Sequence, residues 1–395
     1  MSEKKTIHFI SHTHWDREWY MPFEAHRHQL IRFFNRLLDT LENEPEFRSF
    51  HLDGQAVMLE DYLEVRPQKR ALLEKYIAEG RVMVGPWYIL QDEYLIDGES
   101  NLRNMLYGLR TAARYGPVTK VGYFPDAFGN ISQAPQILRG FGIDCAALGR
   151  GVSDYPAYAR EGKEPNYGRR ASEIVWRSPD GSEIIGAVFL HWYNNASEIP
   201  ADPEAARARI AEIQRRCESV STVPHLLAMN GCDHQPVQRD IGAILGKLDD
   251  YPAKLVHSDF AGYFDAIRPY KERFSIFEGE LDGDFTNGMG TLANTASARI
   301  YLKQFNHQCE TLLERRAEPL ALLASLYAGT EYPADEMRFA WKSLLKNHPH
   351  DSICGCSVTR CIRAWWSASR ACGRWDAPWP TTRFVPFPPC WILPK

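Results

Sequence analysis

The spacing of apolar positions changes repeatedly along the chain, and each change marks an element. Thr6–Ser11 reads as a short strand, and Leu30, Phe33, Phe34, Leu37, Leu38 and Leu41 then recur at helical spacing. Phe47–Leu52 predicts a second strand. Val57–Gly80 predicts one helix with Leu59, Leu63, Leu72, Leu73, Tyr76 and Ile77 on its apolar positions, and Arg81–Leu90 a third strand. Asn101–Tyr115 reads as a helix, Val118–Phe124 as a fourth strand, Gln133–Gly140 as a helix and Cys145–Arg150 as a fifth strand. Ile174–Leu190 reads as a hairpin turning at Ser178-Pro179-Asp180-Gly181. Helix Pro203–Cys217, strand His225–Met229, helix Gln238–Asp249 and strand Lys254–His257 complete the series. Strands alternating with helices of this length imply βαβ units and a parallel sheet, closed or open, in an α/β fold.

The pattern changes near residue 280. Leu281-Asp282-Gly283-Asp284 is loop-like, and about 294–329 is helical, with Tyr301, Phe305, Cys309, Leu312, Leu313, Leu320 and Leu323 as one stripe. Pro319 is expected to kink that helix. A second helix, Asp335–Lys346, completes a small helical appendage. The division expected is 1–279, 280–358 and an atypical tail, 359–395. That tail holds five of the eleven Trp, six Pro and three Cys but one acidic residue, Asp376, and repeats at neither 3.6 nor 2. It reads as an out-of-frame or artificial ending, with a docked extended tail as the alternative.

Composition narrows the class. The chain has 395 residues, 46 basic and 50 acidic, with 44% hydrophobic and 12% aromatic, which excludes a disordered chain, a coiled coil and a collagen. A formal charge of -4 and the lack of a recognition motif argue against nucleic acid as a partner. No run approaches the roughly 18 apolar residues of a membrane span. Met1-Ser2-Glu3-Lys4-Lys5-Thr6 leads straight into the first strand without an apolar signal region, so a cytoplasmic protein is expected. Nine scattered cysteines are no disulfide framework, and Cys354-Gly355-Cys356, the one close pair, reads as ordinary thiols.

Chemistry gathers where strands end. His12-Thr13-His14-Trp15-Asp16 comes just after the first strand, so His14 and Asp16 can face one point, and imidazole plus carboxylate suits Zn²⁺ or a similar ion. Phe124-Pro125-Asp126-Ala127-Phe128-Gly129 puts a carboxylate in a tight turn after the fourth strand, where a helix cap or turn aspartate is the ordinary reading. Asn230-Gly231-Cys232-Asp233-His234 repeats the arrangement after a later strand. Placement raises both, because sites in parallel α/β sheets form at the carboxyl ends of strands. Asn347-His348-Pro349-His350-Asp351 can complete a shell of two His and two carboxylates, although such a cluster alone is more often surface. Arg150 can orient a carboxylate. Trp15, Trp19, Trp87, Trp192 and Phe128 suit the apolar faces of sugar rings and equally serve as loop anchors. These residues amount to a metal-dependent hydrolase with at least two working carboxylates, reaction class open.

Four ordered segments sharpen this. His12-Thr13-His14-Trp15-Asp16-Arg17-Glu18-Trp19-Tyr20, Tyr123–Gly129, Asn230–Pro236 and Asn347–Cys356 resemble the bacterial branch of the glycoside hydrolase family 38 α-mannosidases, over about residues 6–358. The resemblance implies a seven-fold β/α barrel-like domain with parallel strands, followed by a helical bundle. It implies one Zn²⁺ held by His14, Asp16, Asp126 and His350, with another divalent metal such as cobalt able to suit the same ligands. It makes Asp126 also the nucleophile of a retaining mechanism and Asp233 the acid/base, roughly 5–5.5 Å apart. Trp19, Phe128, Arg150 and Asp351 match positions at the sugar. The implied partner is an α-mannoside oligosaccharide or a small mannoside; assembly into a homo-oligomer stays open.

Members of that family continue past the bundle into large β-sandwich domains, which this chain lacks. A truncated enzyme with an open bundle face is therefore expected. Three alternatives accompany the mannosidase reading. They are a mannosylglycerate-type hydrolase of the same family, a metal-dependent deacetylase or amidohydrolase in which the metal activates water, and an inactive carbohydrate-binding fragment.

Overall fold

β1 (Thr6–Thr13) is buried along almost its whole length, as a strand covered on both faces must be. Residues 4–152, 171–283 and 290–361 are those that the structure, a computed structural model, describes. Residues 362–395, most of the tail set apart above, lie outside them. The first part of β1 pairs in parallel with β8 (His225–Asn230) on one side and β9 (Lys254–Ser258) on the other. Its end pairs with β2 (Phe50–Leu52), which pairs with β3 (Val82–Met83). A second sheet runs β10 (Ser275–Glu278), β6 (Glu173–Arg177), β7 (Glu183–Val188), β5 (Cys145–Leu148), β4 (Gly122–Phe124). Its pairs are parallel except the β6–β7 hairpin, which turns at Ser178–Ser182 as expected. The α/β class with parallel strands and a helical region is thus met. Hydrogen bonds among the described strands trace these two sheets and do not themselves join them into one ring.

The helices cover the sheets through the faces that the periodicity marked. α1 (Phe23–Asn43) buries Leu30, Phe33, Phe34, Leu37, Leu38 and Leu41. They share one core cluster with Phe9, Phe50, Leu73, Ile77 and Ile210. α4 (Gly98–Ala112), α5 (Ala134–Gly140), α6 (Pro203–Glu218) and α7 (Ile241–Gly246) fall where helices were expected. Two expectations fail at prolines. The helix over Val57–Gly80 breaks into α2 (Val57–Leu63) and α3 (Arg70–Ala78), because Arg66, before Pro67, is forced out of the helical region. The third strand stops at Met83; Pro86 has no N–H for a ladder, and Trp87–Leu90 runs as buried loop. Two elements of the sheet part went unread, β10 and α8 (Phe260–Ile267), whose N-cap Asp259 accepts from the Gly262 N–H at 2.8 Å.

The appendage is built of α9 (Ile300–Leu312), α10 (Glu318–Ala328), α11 (Ala334–Leu345) and the short α12 (His350–Cys354). A π-helical turn, Leu313–Ala317, joins α9 to α10. Pro319 offers no N–H to Arg315, and the ladder widens into the π turn just ahead of it. The expected single stripe is corrected by the burial along these helices. Cys309 and Leu313 are buried, whereas Tyr301, Leu320 and Leu323 are exposed. α10 buries no residue, leaving an apolar face that includes Leu326 (67% exposed) and Tyr327 (84% exposed). No helix among the described residues is long and apolar enough to cross a membrane.

Two apolar clusters and several charged contacts bind the appendage to the sheets. Trp341, Leu344 and Leu345 pack with Val57, Tyr88 and Ile89, while Leu302, Ile353 and Cys354 pack with Ile96 and Phe128. Arg103 makes a bidentate pair with Glu318 at 2.8 Å. Glu310 of α9 is buried, and its Oε1 accepts from the Asp97 N–H (3.0 Å) and Ser100 Oγ (2.6 Å) at the start of α4. Burial outweighs those donors and pushes its carboxyl up from 4.5 to about 7. The unfolded chain loses this proton near the ordinary value and the folded chain keeps it longer, so stability falls as pH rises from about 4.5 to 7. Glu310→Gln is expected to flatten that dependence in urea titrations across this range; an unchanged slope would remove Glu310 as its source.

Candidate active site

The site is assembled from strand ends. β1 runs into His14 and Asp16, β2 into Asp53, β4 into Asp126, β5 into Arg150 and β8 into Asp233. Two glycines let these ends approach. A Cβ on Gly231 would come 2.0 Å from His12 O, so glycine there allows Asp233 to form a parallel bridge with His14. A Cβ on Gly149 would lie 1.7 Å from Pro125 O, and its absence brings Arg150 against Asp126. The appendage supplies the remaining pieces. Pro349 bridges Gln91 antiparallel, and the His350 N–H donates to Leu90 O at 3.2 Å, which seats α12 on the loop after β3.

Three ligand atoms converge. His14 Nε2, Asp16 Oδ1 and one His350 nitrogen lie within 4.8 Å of one another, all buried. His14 Nε2 is 3.1 Å from Asp16 Oδ1, and His350 Nε2 is 3.3 Å from it. The distances are short, yet none of these three atoms has a hydrogen-bond partner. Asp126 Oδ2 stands 3.8 Å from both imidazole Nε2 atoms, and Arg150 Nε donates to its other oxygen. Of the four ligands expected, three form the tight group and Asp126 flanks it. A buried donor set of two imidazoles and carboxylates converging on one point fits a divalent cation of the zinc type.

Charge explains the shifts. Burial acts to lower His350, but Asp351, Asp16 and Asp126 outweigh it and push it up to about 9. Burial likewise opposes the rise of His14, which Asp53 and Asp16 drive well above the ordinary value. For Asp16 burial acts upward, and His14 and His350 pull it well below the carboxylate range. Burial raises Asp126 despite Arg150 and the two imidazoles. The acids therefore load protons onto the imidazoles, and a cation entering the site would displace them.

The other expected residues surround this group, with one exception. Phe128 sets its ring edge-on to His350, centroids 5.2 Å apart, and Arg150 lies over Phe128 and Trp192. Asp351 Oδ2 is 3.8 Å from His350 Nε2. Asp233 Oδ1 accepts from Tyr193 OH at 2.7 Å. The exception is Trp19: exposed, it packs on Tyr20, which reaches His234 rather than the cluster.

Four neighbours received no site role from the sequence, Cys356 having been read as an ordinary thiol. Asp53 holds His14 Nδ1 at 3.1 Å with both oxygens and also accepts from the Trp15 N–H and Gln55 Nε2. His234 Nε2 accepts from the Asp16 N–H at 3.1 Å. Tyr193 and Cys356 touch Asp233 and Asp351. Asp53 comes directly after a strand, the same signal that exposed Asp126. Asp53 and His234 also have left-handed backbone (φ 46° and 52°), a strain that packing must hold.

Comparison with known proteins gives the chain its family. Residues 4–280 match the glycosyl hydrolases family 38 N-terminal domain, and residues 291–369, past the boundary expected at 358, match the alpha mannosidase middle domain. A Halalkalibacterium halodurans protein called "Putative mannosylglycerate hydrolase" is 46% identical over 90% of this chain and 40% of its own length. Homo sapiens alpha-mannosidase 2C1 is 24% identical over 89% of this chain and 32% of its own length. The crystal structure of an alpha-mannosidase from Enterococcus faecalis V583 superposes with a TM-score of 0.87 at 44% identity, covering 93% of this chain and 41% of that one. The chain thus spans about a third to two fifths of the length of these relatives. With its N-terminal model matched over more than half its residues, the chain belongs to glycoside hydrolase family 38.

Proposed function

We propose that the site is that of a retaining α-mannosidase working with one Zn²⁺ held by His14, Asp16, Asp126 and His350. The observation that carries the reading is the convergence of three buried, partnerless ligand atoms beside a carboxylate that Arg150 already holds. The bound ion would supply charge stabilisation and a template for sugar hydroxyls.

The chain's own residues divide the remaining work. Arg150 favours the ionised form of Asp126 against the cost of burial, as a nucleophile requires. Asp126 attacks the anomeric carbon while the bond to the aglycone oxygen breaks, and Asp233 gives that oxygen its proton. The mannosyl ester on Asp126 is then opened by water, which yields a proton back to Asp233 as its oxygen bonds to the anomeric carbon. Tyr193 OH occupies Asp233 Oδ1, which leaves Oδ2 for the proton. Phe128, Arg150 and Asp351 border the sugar, and Trp19 would join them from the exposed rim.

A second reading within the family rests on the name of the Halalkalibacterium halodurans relative: a small α-mannoside with a carboxylate aglycone, of the mannosylglycerate type. Family membership favours either over the deacetylase alternative.

Hydrolysis of an aryl α-mannoside, monitored by NMR, is expected to release the α-anomer first and to stop with a chelator. A fluorinated mannosyl donor is expected to leave its sugar on the Asp126 peptide. Initial release of the β-anomer, or an adduct elsewhere, would contradict the mechanism. Asp53→Ala is expected to weaken zinc affinity by about 10- to 100-fold, because His14 loses the partner that fixes its tautomer. Competition with a chromophoric chelator would read this, and unaltered affinity would count against His14 as a ligand.

A further inference from the structure

Cys356 holds none of the roles proposed above, yet its thiol reaches a residue at the sugar. Among the described residues it is the exposed cysteine; Cys145, Cys217, Cys309, Cys354 and Cys361 are buried and Cys232 is intermediate. α12 ends at Gly355, whose left-handed backbone (φ 77°) turns the chain back over the helix's own first turn. There the Cys356 S–H donates to Asp351 Oδ1 at 2.8 Å. The same reversal lets the Ser357 hydroxyl and N–H bond Asp351 O, at 3.1 and 3.3 Å. Cys356 is the one side-chain donor found on the Asp351 carboxylate among the described residues.

A carboxylate with a single neutral donor can rotate unless that donor holds it. Asp351 has one oxygen 3.8 Å from His350 Nε2 and the other on the thiol. We propose that Cys356 is a positioning residue, whose thiol fixes the rotamer of Asp351 so that its free oxygen faces the sugar. This rests on the mannosidase reading for its consequence, though the thiol–carboxylate contact does not. Cys354 is the buried counterpart: its Sγ donates to Asp92 Oδ2 at 3.1 Å, and Asp92 Oδ1 accepts from the Tyr94 and Leu95 N–H groups. The two thiols of one Cys-Gly-Cys thus each hold a different buried acid. A further consequence is chemical. A thiol donating to a carboxylate resists ionisation, and the thiolate is the reactive form, so Cys356 should be inert although it is exposed.

Two arms test this on the full chain. Iodoacetamide alkylation near pH 8, read by peptide mass spectrometry, is expected to modify Cys356 at least about tenfold more slowly than added free cysteine. Asp351→Asn should remove most of that protection. Alkylation at the free-cysteine rate in the unmodified chain would overturn the contact whether or not the Asp351 variant folds. In the second arm, Cys356→Ala should lower kcat/KM on an aryl α-mannoside by about tenfold, as expected for loss of one buried hydrogen bond that orients a substrate-facing group. Cys356→Ser should restore it to within about twofold, with zinc content and melting temperature equal in all three. Equal kcat/KM for the alanine variant would overturn the positioning role. An inactive parent chain with slow, Asp351-dependent alkylation would remove the mannosidase reading and support the contact.

Discussion

Everything at this site depends on buried ligand atoms whose lone pairs crowd around one space. His14 Nε2, Asp16 Oδ1 and His350 Nε2 face one another without hydrogen-bond partners. Leaving such atoms unsatisfied in a protein interior costs roughly 1–3 kcal/mol each. Either protons or a cation must occupy the space, and the raised imidazoles show how strongly the acids draw positive charge. The chemistry proposed for Asp126 and Asp233 grows from that electrostatic centre, since a nucleophilic carboxylate in a buried pocket needs charge nearby to stay ionised.

Holding the lone pairs together takes both parts of the chain. The parallel strand ends deliver His14, Asp16, Asp126 and Asp233, and glycines at 149 and 231 permit approaches that no side chain would allow. His350, Asp351 and Cys356 arrive from the appendage, so its docking through Trp341, Leu344 and Leu345 is a condition of the site. Asp53 adds orientation from a strained backbone, clamping His14 through both carboxylate oxygens. The exposed apolar face of α10 stands apart from this assembly.

Much of this was legible in the sequence for particular physical reasons. The regular 3.6-residue recurrence from Leu30 to Leu41 and the near-continuous apolar run of β1 announce their burial directly. His14, Asp126 and Asp233 stand out because each comes directly after a strand. Asp53 obeys the same rule but sits behind a strand of three residues, too short to stand out. Over 57–80, apolar spacing conceals the break that Pro67 imposes, and in the appendage a π turn leaves no periodic trace. Tyr193, His234 and Cys356 act through tertiary contacts between distant segments or a reversed turn, which spacing alone does not encode.

The most direct test of the central claim is a crystal structure of the zinc-loaded chain with diffraction recorded on either side of the zinc absorption edge. The account predicts one anomalous peak, bonded by His14, Asp16, Asp126 and His350. A fully loaded crystal whose ion lies elsewhere, for example at the second acid–histidine group of Asp97, His307 and Glu310, would contradict it.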